Sequence, residues 1–435
     1  MEITDFNSLL DAGHFEDDNA PNSPSGDELS QLLSPMTGQE FANSYFAKKS
    51  FNVGGTSNKF EHIFSWEKLS HALARGEEIQ DPRFNLMASF AGGEKDGSRK
   101  PMFQVYIKQV GELLNAGATI CITNIHMADP ALARWAQAIR SQLNFTGTVG
   151  VNCYISPDGA GLPMHYDKRI ATTLQIAGKK RWIYSTTPAQ AWPDNNAVFK
   201  DGRVEPANID TGTPPDGLEF EEVELNPGDL LCLPAGAWHA AKGIGFSLAL
   251  NLYFAPRNFS DQLAPLFLEH LSHDENWRGG PPVTLDNITG ETPENIKSYL
   301  HDRLDEFHKK AQSFIDQTDT INTAWLESLT QNPYTGWQPD PDMPLRPLSP
   351  ENRFRVVGKS LRFIQTADQL AVPCDNGILN FPKNATPILK KMASHSGSFS
   401  VPDVISWNTA PNAPTIPEIG AHLQTLYKNR VLEII

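Results

Sequence analysis

The chain has 435 residues, 40% of them apolar and 20% charged, with a formal net charge of −15. That is ordinary globular composition with material for two or three domains, which excludes collagen-like, wholly disordered and small disulfide-scaffold classes. No apolar run approaches the roughly 18 residues of a membrane span, and the excess of acid disfavours a chain-wide nucleic-acid footprint, which needs Lys and Arg against phosphates.

Residues 1–35 read as a flexible acidic leader. The first 47 residues hold nine Asp or Glu and no Lys or Arg, and residues 11–28 show no periodicity. The opening Met1-Glu-Ile-Thr-Asp5 has no basic stretch followed by an apolar one, so no secretory signal is read and a cytoplasmic location is expected. Cys121, Cys153, Cys232 and Cys374 are scattered without a C-x-x-C pair, which points to reduced, buried thiols.

From residue 36 the pattern predicts structure. A helix is expected over Gln39–Lys48, with Phe41, Tyr45 and Phe46 on one side, then a strand over Ser50–Val53. A second helix over 63–73 takes Ser65 as its N-cap. A third starts at Asp129-Pro130 and runs to about Leu143 on Leu132, Trp135, Ala136 and Ile139. Between about 145 and 256 the chain turns to short apolar or alternating runs cut by Gly and Pro, as in Gly150–Ile155, Ala171–Ile176, Arg181–Tyr184, Leu230–Leu233 and Phe246–Phe254. That rhythm predicts a mainly β core closed as a jelly-roll or cupin barrel. The Pro-, Asp- and Asn-rich stretch from Thr187 to Pro215 reads as a long insertion that could border the barrel mouth. Beyond Pro256, Thr292-Pro293 opens a helix whose apolar positions Ile296, Tyr299, Leu300, Leu304, Phe307, Ala311, Phe314 and Ile315 share one face, as ordinary core or as a dimer interface. Six prolines between Asn332 and Pro350 mark a linker. Residues 351–435 then offer short helices near 384–393, 401–407 and 416–428 with strand fragments, which fits a winged-helix module.

Chemistry concentrates in two segments. His165-Tyr-Asp167 is an H-x-D pair, and on a strand positions i and i+2 share a face, so one imidazole and one carboxylate reach the same ion. Asn226-Pro-Gly-Asp starts a second apolar run that Pro234-Ala-Gly turns back to present His239. Two His and one carboxylate leave adjacent coordination positions open, the ligand set of non-haem Fe(II) oxygenases.

At these residues the chain resembles the JmjC-type Fe(II)/2-oxoglutarate oxygenases of the ribosomal oxygenase (cupin 4) family. The resemblance rests on N-x-Y-I-x-P-x-G-x-G-L-P-x-H-Y-D over Asn152–Asp167, L-Q-x-x-G-x-K-x-W over Leu174–Trp182 and G-D-L-L-x-x-P-x-G-x-x-H over Gly228–His239. It implies a double-stranded β-helix catalytic domain over 36–257 with an N-terminal helical extension, a helical dimerisation region over 258–331 and a winged-helix domain over 351–435. It further implies Fe(II) on His165, Asp167 and His239, the distal carboxylate of 2-oxoglutarate on Lys180, and cosubstrate contacts from Asn152, Asn251 and Tyr154, with dioxygen as cosubstrate. The chain departs from the family at Pro234-Ala-Gly-Ala, where a basic residue frequently stands two positions after the proline.

The activity so implied is hydroxylation of an amino-acid side chain, Arg or His, on a basic protein that could be ribosomal, by a homodimer without membrane or nucleic-acid partners. A peptide or small natural product as substrate is the alternative, lysine demethylation a weaker one. A winged-helix nucleic-acid regulator and a metal-free structural cupin are the readings from other classes.

Overall fold

The computed structural model describes residues 26–79, 81–90, 102–206, 210–285, 290–316, 318–330, 348–359, 361–374, 377–409 and 411–435. They divide into two compact units that part between Pro256 and Arg257. Residues 1–25 and the proline-rich stretch over 331–347 lie outside the described residues, and with them most of the expected leader and linker.

The first unit is built on one antiparallel sheet whose strands, in chain order, are β1 (Phe51–Val53), β2 (Asn85–Ser89), β3 (Phe103–Val105), β4 (Thr119–Thr123), β5 (Thr148–Ser156) and β6 (Gly161–Tyr166). They continue with β7 (Ile170–Ser185), β8 (Ala197–Lys200), β9 (Arg203–Glu205), β10 (Phe220–Leu225), β11 (Leu230–Leu233) and β12 (His239–Ala255). The main path runs β1-β11-β7-β12-β5-β4-β2-β3, while β10 joins β7 and β6 joins β12. Strands β7 and β12 are long enough to serve two sheets. The first part of β7 pairs with β11 and its last part with β10; β12 pairs with β6 at its start and with β5 from Ser247 onward. Sharing long strands in this way folds the sheet back on itself as the double-stranded β-helix core of a cupin.

Alternation decides which way each side chain faces. On β5 the odd positions Val149, Val151, Cys153 and Ile155 are wholly buried in the main core, and the even positions Asn152 and Tyr154 take the opposite side. Helices seal the core from without. The helix Trp66–Glu78 starts where Ser65 Oγ accepts from the Lys68 N–H, and Pro130–Gln142 starts where Asp129 accepts from the N–H groups of Ala131 and Leu132. The helix expected over Gln39–Lys48 is shorter: Gly38–Glu40 runs into a wide turn over Phe41–Tyr45, and Phe41 and Phe46 still pack on the core.

The expected leader boundary at residue 35 is corrected. Glu28–Leu33 is a helix whose Leu29, Leu32 and Leu33 sit in the main core, fastened where Gln142 Oε1 accepts from the Leu29 N–H. The leucine spacing of three and four supplies an apolar face that the acidic composition around it obscures.

In the second unit the long helix runs over Glu294–Ile315, with Pro293 at its N-cap position. Phe307 and Phe314 pack edge-on against Phe267 of the helix Phe259–Ser272. Leu300, Leu304 and Ile315, expected on the same stripe, stay 50%, 67% and 59% exposed. The helix Thr318–Thr330 places Leu326 and Leu329 against Ala371. The region over 258–331 therefore shares one compact unit with residues 348–435 and is no separate body. The rest of this unit holds two small sheets, β17-β13-β18 and β14-β15-β16, formed by β13 (Arg353–Val356), β14 (Ile364–Gln365), β15 (Gln369–Cys374), β16 (Gly377–Pro382), β17 (Phe399–Ser400) and β18 (Leu432–Ile434). Three helices, Thr386–Ser394, Val401–Trp407 and Ile416–Lys428, enclose an apolar core around Phe354, Leu389 and Leu423. None of the helices among the described residues is long and apolar enough to cross a membrane.

Candidate active site

His165 lies near the end of β6 and His239 opens β12, and the two are direct partners across the ladder. Their rings stand 4.2 Å apart, centre to centre. Asp167 follows β6 two residues after His165, with Oδ2 4.0 Å from His239 Nε2. One ligand atom from each of the three lies within 4.8 Å of the others, the only such His, Cys, Asp or Glu group among the described residues.

Both imidazoles are aimed by their own backbone. His165 Nδ1 is 2.7 Å from the Pro163 carbonyl and His239 Nδ1 is 2.8 Å from the Ala237 carbonyl. A carbonyl only accepts, so each Nδ1 carries the proton and each Nε2 presents a lone pair toward Asp167. Burial, and the second imidazole beside it, push the His239 pKa down to about 4, so this ring is neutral and ready to ligate at neutral pH.

A cavity of about 460 Å³, part of it open to solvent, begins at this triad. Lys180, on β7, also lines it. Its ammonium is buried, stands 5.8 Å above the Tyr154 ring, and forms no ion pair among the described residues. Desolvation lowers its pKa to about 8. A buried cation without an anion is costly unless something else brings the counter-charge.

Tyr154 and Asn251 line the same cavity. Asn251 Oδ1 is buried and accepts no hydrogen bond, and Trp182 Nε1 in the wall is likewise buried and unpartnered. Asn152 is placed differently: it is not in the cavity lining, and its Oδ1 accepts from the Asn124 N–H, which supports the left-handed turn there. Trp182, Thr173 and Leu162 also line the cavity and were not among the expected site residues. Trp182 was within reach of sequence reasoning, since it lies two positions beyond Lys180 on the same strand.

Residues 124–261 match the JmjC domain family. The likeness to that domain extends over about a third of the chain. The chain is 28% identical over 271 residues to the bifunctional lysine-specific demethylase and histidyl-hydroxylase NO66 of Drosophila persimilis, a match covering 59% of this chain and 36% of that protein. It is 32% identical over 176 residues to ribosomal oxygenase 2 of Rattus norvegicus, covering 38% and 35%. It thus spans about a third of the length of these two relatives. An uncharacterized protein, YxbC of Bacillus subtilis, is 23% identical over 66% of this chain and 88% of its own length. In fold it is similar to the ribosomal oxygenase YcfD of Escherichia coli, solved in complex with cobalt and 2-oxoglutarate, with a TM-score of 0.53 and 14% identity over 92% of this chain and 98% of that one.

Proposed function

We propose that the chain is an Fe(II)- and 2-oxoglutarate-dependent hydroxylase of an Arg or His side chain on a basic protein, with a ribosomal protein as the leading candidate. One observation carries this reading: the His165, Asp167 and His239 ligand atoms converge within 4.8 Å in the lining of a cavity that also takes in the buried Lys180, which forms no ion pair among the described residues. Two imidazole nitrogens and a carboxylate fit a divalent iron, and the buried Lys180 ammonium fits the remote carboxylate of a dicarboxylate. When bound, iron and 2-oxoglutarate supply the oxidising power that activates dioxygen.

The protein's own residues do the rest. His165, Asp167 and His239 hold the ion with adjacent positions open. Lys180 fixes the cosubstrate tail as a point charge, while Tyr154 and Asn251 flank its path. The buried walls from β7 and β12 exclude water. The net charge of −15 favours encounter with a basic partner, and the names of the NO66 and ribosomal oxygenase relatives point the same way.

We place the chain in the cytoplasm on the scatter of its cysteines, which form no C-x-x-C pair. We read the second unit's exposed Leu300, Leu304 and Ile315 as a homodimer contact and residues 351–435 as a winged-helix module for protein contacts. The deciding experiment is anaerobic iron reconstitution followed by succinate measurement in air, together with intact-mass comparison of ribosomal proteins before and after incubation. A gain of one oxygen atom on a basic protein, lost in His165→Ala and Asp167→Ala, supports the reading. Absence of succinate with every candidate and without one overturns it.

A further inference from the structure

Among the described residues of the insertion from Thr187 to Pro215, none lines the cavity. It lies instead behind the metal-ligand segments. At the end of β6 the ligands His165 and Asp167 line the cavity, and Tyr166 between them faces away. In the turn before β12, Trp238 likewise turns away beside His239. Both outward side chains are fully buried, 4.6 Å apart ring to ring, in a small apolar core that the insertion completes with Ala189, Ala197, Phe199 and Val204.

Hydrogen bonds tie the insertion to a neighbour of each ligand. Strand β8 pairs with β6 so that Val198 is opposite His165 and Ala197 opposite Tyr166. The Lys168 N–H, next to Asp167, donates to Asn196 Oδ1 at 2.9 Å, and the Tyr166 hydroxyl donates to the Thr211 carbonyl at 3.2 Å. On the other ligand, Trp238 Nε1 donates to the Thr213 carbonyl at 2.9 Å, and the Ala189 N–H donates to the Gly236 carbonyl at 2.8 Å. The Gly236 N–H in turn donates to the Asp167 carbonyl at 2.8 Å, closing the loop between the two ligand segments.

We infer that this insertion is a brace that sets the separation of His165 and Asp167 from His239, with Asn196, Tyr166 and Trp238 as its positioning residues. The inference rests on the metal-centre reading above. It assigns the insertion to metal geometry, where its position in the chain alone suggested substrate choice at the mouth. Residues behind a metal's ligands commonly change affinity by ten- to a hundredfold when removed.

The test is Co(II) binding to the full-length protein, read as affinity and as the visible absorption bands that report ligand geometry, with no turnover required. Trp238→Phe, which deletes the donor to Thr213, is expected to weaken Co(II) by roughly tenfold and shift the bands. Asn196 is exposed, so its substitution leaves the core intact. Asn196→Ala is expected to weaken Co(II) severalfold, and Asn196→Asp, which keeps an acceptor for the Lys168 N–H, to restore it. If Trp238→Phe does not fold, the Asn196 pair decides. Wild-type affinity and bands in Asn196→Ala overturn the brace while leaving the metal centre standing. Failure of the wild type itself to bind Co(II) overturns the metal centre and the brace together.

Discussion

Lys180 is expected to cost the protein stability that its function requires. Burial lowers its pKa from 10.5 to about 8. At about 1.4 kcal/mol per unit, holding the charge inside at neutral pH costs about 3 kcal/mol. The sign comes from proton counts. Between pH 8 and 10.5 the unfolded chain holds the proton and the folded one does not, so stability rises with pH across that window and the penalty is fully present below it. Lys180→Met keeps the stem's length and removes the charge. It is expected to stabilise the ligand-free protein by about 1–3 kcal/mol, which is roughly 2–4 °C in melting temperature for each kcal/mol in a unit of this size. The same variant is expected to lose 2-oxoglutarate affinity and the thermal protection the cosubstrate gives, and wild-type affinity is expected to weaken above pH 8 as the ammonium deprotonates. Melting curves with and without 2-oxoglutarate, using Mn(II) to prevent turnover, measure both effects. A ligand-free variant that melts below the wild type, or one protected by 2-oxoglutarate as well as the wild type, refutes the reasoning.

Three further outcomes are expected. Gly236→Ala puts a Cβ about 2.0 Å from the Gln190 carbonyl oxygen at a φ of +83°, so it is expected to lower stability by roughly 1–3 kcal/mol and to weaken metal binding, as denaturant and Co(II) titrations show. Asp129→Ala removes the acceptor for two N–H groups at the start of Pro130–Gln142, with an expected loss of about 1 kcal/mol in urea unfolding and unchanged cosubstrate affinity. Leu304→Asp charges the most exposed position of the long helix's apolar stripe; light scattering is expected to read a dimer for the wild type and a monomer for the variant, and a wild-type monomer at micromolar concentration contradicts the homodimer.

The cluster of His165, Asp167 and His239 was legible because each part is local. His165 and Asp167 follow the i, i+2 rule at the end of one strand, and the Pro-Gly-Asp and Pro-Ala-Gly turns bracket the run that ends in His239. The cavity walls were less so. Thr173 and Lys180 are seven apart on β7, which strict alternation puts on opposite faces, yet both line the cavity. Pairing with β12 explains this: Leu248 faces Ala177 while the next residue, Ala249, faces Gln175, so Ile176 is an extra residue that flips the parity. A bulge of this kind depends on tertiary pairing and leaves little local trace. The helix Glu28–Leu33 was hidden by the acidic run that contains it. Asn152 stands on the expected strand, and its side chain touches both the Asn124 N–H and Tyr154 of the cavity lining.

The aim of each imidazole and the distance between the two come from different sources. Aim is written within three consecutive residues, since each ring is steered by the carbonyl two places upstream, at Pro163 and at Ala237. Either triplet can therefore carry its ring direction into another strand end, and mutational drift across the remaining barrel does not erase it. Spacing has no such local record, so a transplanted pair of triplets inherits two correctly pointed donors with nothing to hold them one ion's width apart.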